Sequence, residues 1–254
     1  MGKLLKYEFI KSRVPLTIFT ILIVISELVF ALGMIKEDEN YLIASIVLFS
    51  VMAPVCTLGG LILGAGAYTK ELSNKVGFMV YMTPNSSYKI VGSKFVFTAI
   101  VEILFSAIFG ILAFTDVTII MNKVGIDDDM LDVVFEIADS FGLSLPKLLV
   151  NIAATFITVL LSMVMIVAVY YIAYTLTATF MQASKARTFV AAVIFILGAY
   201  GVSKLNSLLP TISYSTVSGL IDWTGVLPQV LYSLLIIAIS YFACSYMLDK
   251  KVSL

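Results

Sequence analysis

The stretch LLVNIAATFITVLLSMVMIVAVYYIAYTLTA, residues 148–178, decides the fold. It holds no Asp, Glu, Lys or Arg, and it exceeds the roughly 20 apolar residues that carry a helix across a bilayer at about 1.5 Å per residue. Five more apolar runs lie at about 15–35, 41–67, 94–115, 187–208 and 226–248. The chain reads as an all-α polytopic membrane protein, with residues 1–254 forming one transmembrane domain of six spans. Composition agrees. Of 254 residues, 61% are hydrophobic and 13% charged, where a soluble domain carries about 25% charged residues. The mean hydropathy is +1.06. So thin a charged skin cannot cover a globule in water, and the solvent that fits is lipid.

The runs at 41–67 and 148–178 are longer than a span needs, so tilt or extension beyond the bilayer is expected. Pro54 should kink the first of these. Gly60 and Gly64 fall on one face with the spacing that favours close helix packing. Cys56 and Cys244 lie inside apolar runs and read as small packing residues rather than a disulfide framework. The chain has no histidine, which removes His-based metal sites and His general bases. The opening MGKLLKYEFIKSR is not read as a signal peptide, because the apolar run after it is long and lacks a small-residue cleavage site.

Charge separates by side. The N-terminal segment, the 68–93 loop with Lys94, the 181–187 loop and the tail after 248 hold twelve cations: Lys3, Lys6, Lys11, Arg13, Lys70, Lys75, Lys89, Lys94, Lys185, Arg187, Lys250 and Lys251. They hold three acids, Glu8, Glu71 and Asp249. The other side holds Lys36, Lys123, Lys147 and Lys204 against eleven acids, among them Glu37, Asp38, Glu39 and Asp127 to Asp129. The positive-inside rule places both termini in the cytoplasm of a cell-membrane protein, and six spans give the same parity.

The loops differ in character. KELSNKVGFMVYMTPNSSYKIVGSK, from Lys70 to Lys94, predicts a short helix over Glu71–Met82 with an apolar patch at Val76, Phe78, Met79, Val80 and Tyr81. Thr83-Pro84-Asn85 breaks it, and Ser86 or Ser87 caps the next helix. An apolar helix on the water side needs cover, either from lipid and this chain's own spans or from a docked partner. The acidic outer loop 116–147 predicts a helix over Asp128–Phe141, with Asp132, Glu136 and Asp139 on one solvated face. Asp127 to Asp129 lack the Gly and distal Glu of a calcium loop. Residues 207–229 carry Pro210, Pro228, Gly219, Gly225 and the only tryptophan, Trp223. That stretch is too broken to span and fits a re-entrant or interfacial element, with Trp223 and Tyr214 near headgroups. In residues 1–14, Met1, Leu5 and Phe9 stack opposite Lys6 and Arg13, with Glu8 interrupting the apolar face, which predicts an interfacial helix.

Two acids, Glu27 and Glu102, fall well inside spans. Each should face protein or water, as a polar path, a cation or proton site, or an interhelical hydrogen bond. The hydroxyls of the fourth span, Thr155 to Thr179, suit interhelical hydrogen bonds or a wet cavity. No phosphate loop, Cys/His metal spacing or nucleophile elbow is present, so no catalytic residue, cofactor site, metal site or nucleic-acid surface is expected. Hydrolytic energy would come from another polypeptide.

The opening MGKLLKYEFIKSR, the Lys70–Lys94 segment and the broken element before the last span together resemble the membrane permease subunit of ABC-2 type ABC transporters. The resemblance implies a basic N-terminal interfacial helix, six spans, a cytoplasmic coupling helix and an outer re-entrant element. It implies no enzyme activity in this chain, with ATP and Mg in a partner ATPase. That ATPase would dock on Lys70, Glu71, Lys75, Phe78, Met79 and Tyr81, with help from the N-terminal helix, and a second permease chain would complete the path. Substrates of such exporters include peptides such as bacteriocins, drugs and lipid-like molecules. Two other readings stay open. An ion-coupled secondary transporter predicts an inverted repeat and midplane charges. A non-transporting scaffold or sensor subunit needs no cavity.

Overall fold

The computed structural model describes residues 2–36, 39–73, 86–124, 145–181, 186–212 and 223–251. The predicted helices over Glu71–Met82 beyond Ser73 and over Asp128–Phe141 lie outside these residues, as do Thr83 to Asn85 and Tyr214. Among the described residues there are seven helices and no strand: α1 Gly2–Lys11, α2 Arg13–Lys36, α3 Glu39–Ser73, α4 Ser87–Val124, α5 Leu145–Phe180, α6 Arg187–Asn206 and α7 Trp223–Lys251. The six from α2 onward are each long and apolar enough to cross a bilayer. The chain is therefore a multi-pass, all-helical membrane protein.

Several helices outrun their apolar runs. α4 has 38 residues, about 57 Å of helix against a hydrocarbon core of about 30 Å. It begins at Ser87, where the sequence placed the cap, seven residues before Lys94. Pro54 and Pro228 are accommodated inside α3 and α7. α1 and α2 are nearly continuous, with the break at Ser12. Pro15 explains its position: the ring lacks an N–H for the Lys11 carbonyl and crowds it, while Pro15 itself sits in the first turn of α2, where a missing donor costs nothing.

The chain divides into two compact units, Met1–Ala107 and Ile108–Val252. In the first, α2 buries Ile23, Ser26, Phe30 and Gly33, a stripe at helical spacing. Phe19 on α2 meets Phe105 on α4 edge-to-face at 5.6 Å. In the second, α5 is the central helix, with Ala168, Tyr171 and Thr175 fully buried. α6 runs antiparallel to it, pairing Tyr170 with Phe195 and Tyr174 with Arg187. α7 runs parallel to α5: Val226 shares a small cluster with Ala154, and Thr175 Oγ1 donates to Cys244 Sγ at 3.4 Å. Phe189, Ile196, Leu197 and Tyr200 of α6 are all exposed, as a lipid-facing helix should present them. Cys56 and Cys244 are buried free thiols.

The hydroxyls of α5 differ from expectation. Thr155, Thr158, Ser162, Thr177 and Thr179 donate to carbonyls three or four residues back on their own helix, and Thr175 does so as well as reaching Cys244. In an apolar solvent the nearest acceptor is the helix's own backbone, so a hydroxyl needs no neighbour to be satisfied.

Candidate functional site

Lys94, Thr98 and Glu102 stand one turn apart on α4 and form a polar stripe facing α3. The opposing residues of α3 run the other way, also one turn per step: Glu71 and Ala67 meet Lys94, Gly64 meets Thr98, and Gly60 meets Glu102. The glycines make this possible. A Cβ on Gly64 would run into the Thr98 side chain, and one on Gly60 would lie 2.5 Å from Glu102 Oε1. Gly59, on the neighbouring face, receives the Phe19 ring of α2. Thr98 is itself buried and bonds its hydroxyl to the Lys94 carbonyl at 2.9 Å.

At one end of the stripe lies an ion cluster. Lys94 has 0% exposure. Its Nζ donates to Glu8 Oε1 at 2.8 Å and to the Ala67 carbonyl at 3.4 Å. It also lies 2.7 Å from Glu71 Oε2, an ion pair without hydrogen-bond alignment. Glu71 Oε1 accepts from Lys11 Nζ at 2.5 Å. Two carboxylates and two ammonium groups thus balance. A buried cation is tolerable only when its charge and donors are matched in this way. The Lys11 side chain is half exposed. Partial burial works against its charged form, but the hydrogen bond to Glu71 and the charges of Glu71 and Glu8 outweigh that and raise its pKa. Next to Glu8 along α1, Phe9 sets its ring edge-to-face with Phe97 of α4 at 5.0 Å.

The cluster ties three elements together. Glu8 and Lys11 come from α1, Glu71 from the last turn of α3, and Lys94 from the first two turns of α4. Glu71 and Lys94 therefore bracket residues 74–85 at both chain ends of that segment. Glu8 does not interrupt the apolar face of α1 but sits at its centre. The buried face of α1 runs through Glu8 and Ser12, while Lys3, Lys6, Tyr7 and Ile10 point outward.

Glu102 stands at the other end of the stripe, inside the span and 4% exposed. Its Oε1 has no hydrogen-bond partner among the described residues. The space it occupies is the notch left by Gly60. Glu27 is half-buried on α2.

Of the expected docking residues, Lys70 is exposed at the end of α3, while Glu71 is turned inward and held by Lys11 and Lys94. Its carboxylate is therefore part of this chain's own packing and not of an outer rim. Lys75, Phe78, Met79 and Tyr81 lie outside the described residues. Of the broken element before the last span, Trp223 opens α7 half-exposed, and Gln229 donates to the Pro210 carbonyl at 3.2 Å. Gly225 lies so close to the Thr211 carbonyl that a Cβ there would come within 2.5 Å of it. Sequence reading missed Glu8, Lys11 and Lys94 as a unit. One signal was present: a lone acid on the apolar side of a basic helix requires a cation from elsewhere. Comparison with known protein families, curated proteins and solved structures finds no match for this chain.

Proposed function

We propose that the chain is the permease subunit of an ABC-type exporter in the cell membrane, worked from the cytoplasm by a separate ATPase and completed by a second permease chain. The observation that carries the reading is the ion cluster. Glu71 and Lys94 join the end of α3 to the start of α4 on either side of residues 74–85, and Glu8 and Lys11 add α1 to the same cluster. In this reading residues 74–85 are the handle, and a push on Phe78, Met79 or Tyr81 reaches two helices that the cluster already joins. The Lys/Arg bias puts this handle, α1 and both termini on the cytoplasmic side. ATP binding in the partner would bias the packing of two permease chains only through a difference in affinity for their two arrangements. In this reading α1 is interfacial, and the stretch between α6 and α7 forms an outer re-entrant element, shorter than the sequence suggested because Trp223 to Gln229 already belong to α7. The chain lacks the phosphate loop that hydrolysis requires, in keeping with a motor on another polypeptide.

The test is co-purification from the source cell of the tagged chain with whatever soluble ABC ATPase accompanies it. Phe78→Asp with Tyr81→Asp should release the ATPase and leave the chain in the membrane. Retained ATPase sinks the docking assignment. A second reading, an ion-coupled transporter, is favoured by Glu102, an acid within a span whose Oε1 lacks a partner. Vesicles containing this chain alone separate the two: uphill flux driven by an ion gradient without nucleotide would replace the first reading with the second.

A further inference from the structure

We propose that the outward face of α1 binds anionic phospholipid headgroups, and that the ion cluster creates this face by hiding the one acid of the N-terminal segment. Between Met1 and Ser26 the only acidic residue is Glu8, and it is buried against Lys94. What remains outward is basic and apolar together. Lys3, Lys6 and Arg13 are exposed and form no ion pair among the described residues, and Tyr7, Ile10 and Val14 lie exposed between them. Interleaved cations and apolar side chains suit the boundary between headgroups and acyl chains, where the first meet phosphate and the second meet hydrocarbon. The occupant follows from charge and from chain continuity. α2 enters the bilayer from Arg13, so all ten residues of α1, about 15 Å of helix, stay within that distance of the membrane surface.

The cluster fixes the roll of α1. With Glu8 held inward, the outer arc carries three uncompensated positive charges, and each cation near an anionic surface strengthens binding about fivefold. Lys94, fully buried and unable to touch a headgroup, thereby governs lipid preference. The proposal uses only the membrane-spanning fold and the first unit. It would survive if no ATPase bound the chain, and its failure would leave the docking test untouched.

The experiment uses the full chain with Tyr7→Trp as the sole tryptophan, Trp223 being replaced by Phe. It is reconstituted in phosphatidylcholine vesicles with increasing brominated phosphatidylglycerol, and in parallel in phosphatidylglycerol vesicles with increasing brominated phosphatidylcholine. The anionic quencher should act at a much lower mole fraction than the neutral one. Lys3→Gln, Lys6→Gln or Arg13→Gln should each raise the half-quenching fraction about fivefold, and added salt should act in the same direction. Lys94→Met should do so too, because Glu8 then turns outward and cancels a charge, and Glu8→Gln in that background should restore the preference. Equal quenching by the two lipids, or charge variants without effect, would overturn the proposal. Quenching by neither lipid would also overturn it and assign the face to a protein partner. No loss of preference in Lys94→Met would break the link between cluster and face.

Discussion

Gly64→Ala tests the α3–α4 contact with a single methyl group. That methyl would be driven into Thr98, lying 2.8 Å from Cγ2 and 3.0 Å from Cβ and closer still to Oγ1. Thr98 has little freedom to yield. It is fully buried, β-branched and bonded through its hydroxyl to the Lys94 carbonyl. One helix must therefore move, and overpacking of this kind costs about 1–3 kcal/mol. The same helix supplies a control two residues on. A Cβ at Gly66 would meet nothing within 4 Å, so Gly66→Ala adds no clash and gains up to about 1 kcal/mol of helix propensity. The two substitutions are chemically identical and should have opposite signs. The assay is thermal unfolding of the purified chain in one detergent, followed by loss of the monodisperse peak. Gly64→Ala should melt several degrees below the parent at roughly 2–4 °C per kcal/mol, and Gly66→Ala at or above it. Gly64→Ala combined with Thr98→Ala should regain most of the loss, because Oγ1 and Cγ2, the two nearest obstructing atoms, are gone and only Cβ at 3.0 Å remains. Equal melting of the two single variants, or a double variant no better than Gly64→Ala, would show that α3 and α4 do not meet at this register.

Lys94→Met leaves buried Glu71 with Lys11 as its one counter-charge and drives Glu8 out of the packing, and should cost about 3–5 kcal/mol, read as the same melting shift, with Glu8→Gln recovering part of it. Glu102→Met keeps the length of the side chain and removes a buried oxygen that has no partner, so it should stabilise by about 1–3 kcal/mol; a loss of stability would mean that the carboxyl is bonded after all. The Lys11–Glu71 contact carries a pH signature. A raised lysine pKa contributes stability that is complete below the ordinary value of 10.5 and vanishes as pH climbs through the raised one. A spin label on Gly2→Cys should therefore report a fixed α1 from neutral pH to about 10 and a looser one only beyond that, the change being absent in Lys11→Met.

The helical membrane fold was legible because its cause is additive along the chain. Each of the six runs advertises its own solvent, and no distant residue is needed to read it. The start of α4 was legible from its cap, Ser86 or Ser87, well before the apolar run, since a helix leaves the bilayer wherever polar side chains such as Lys89 and Lys94 can be satisfied. The break at Ser12 could have been placed from Pro15, whose effect on the Lys11 carbonyl is local.

The ion cluster was hidden for the opposite reason. Glu8, Glu71 and Lys94 are separated by 63 and 23 positions, and a charge count assigns each to a side of the membrane without asking whether it faces water. Gly60 and Gly64 announced a smooth face; nothing local said that Thr98 and Glu102 fill it. Hydropathy is a property of single residues summed over short windows, so lipid as solvent and the number of spans follow from composition and order alone. Which acid meets which cation, and whether a charge lies in water or inside the packing, depends on the antiparallel register of α3 and α4 and on the roll of α1. Those are set by the folded geometry, because contacts between residues far apart in the chain leave no periodic trace in it.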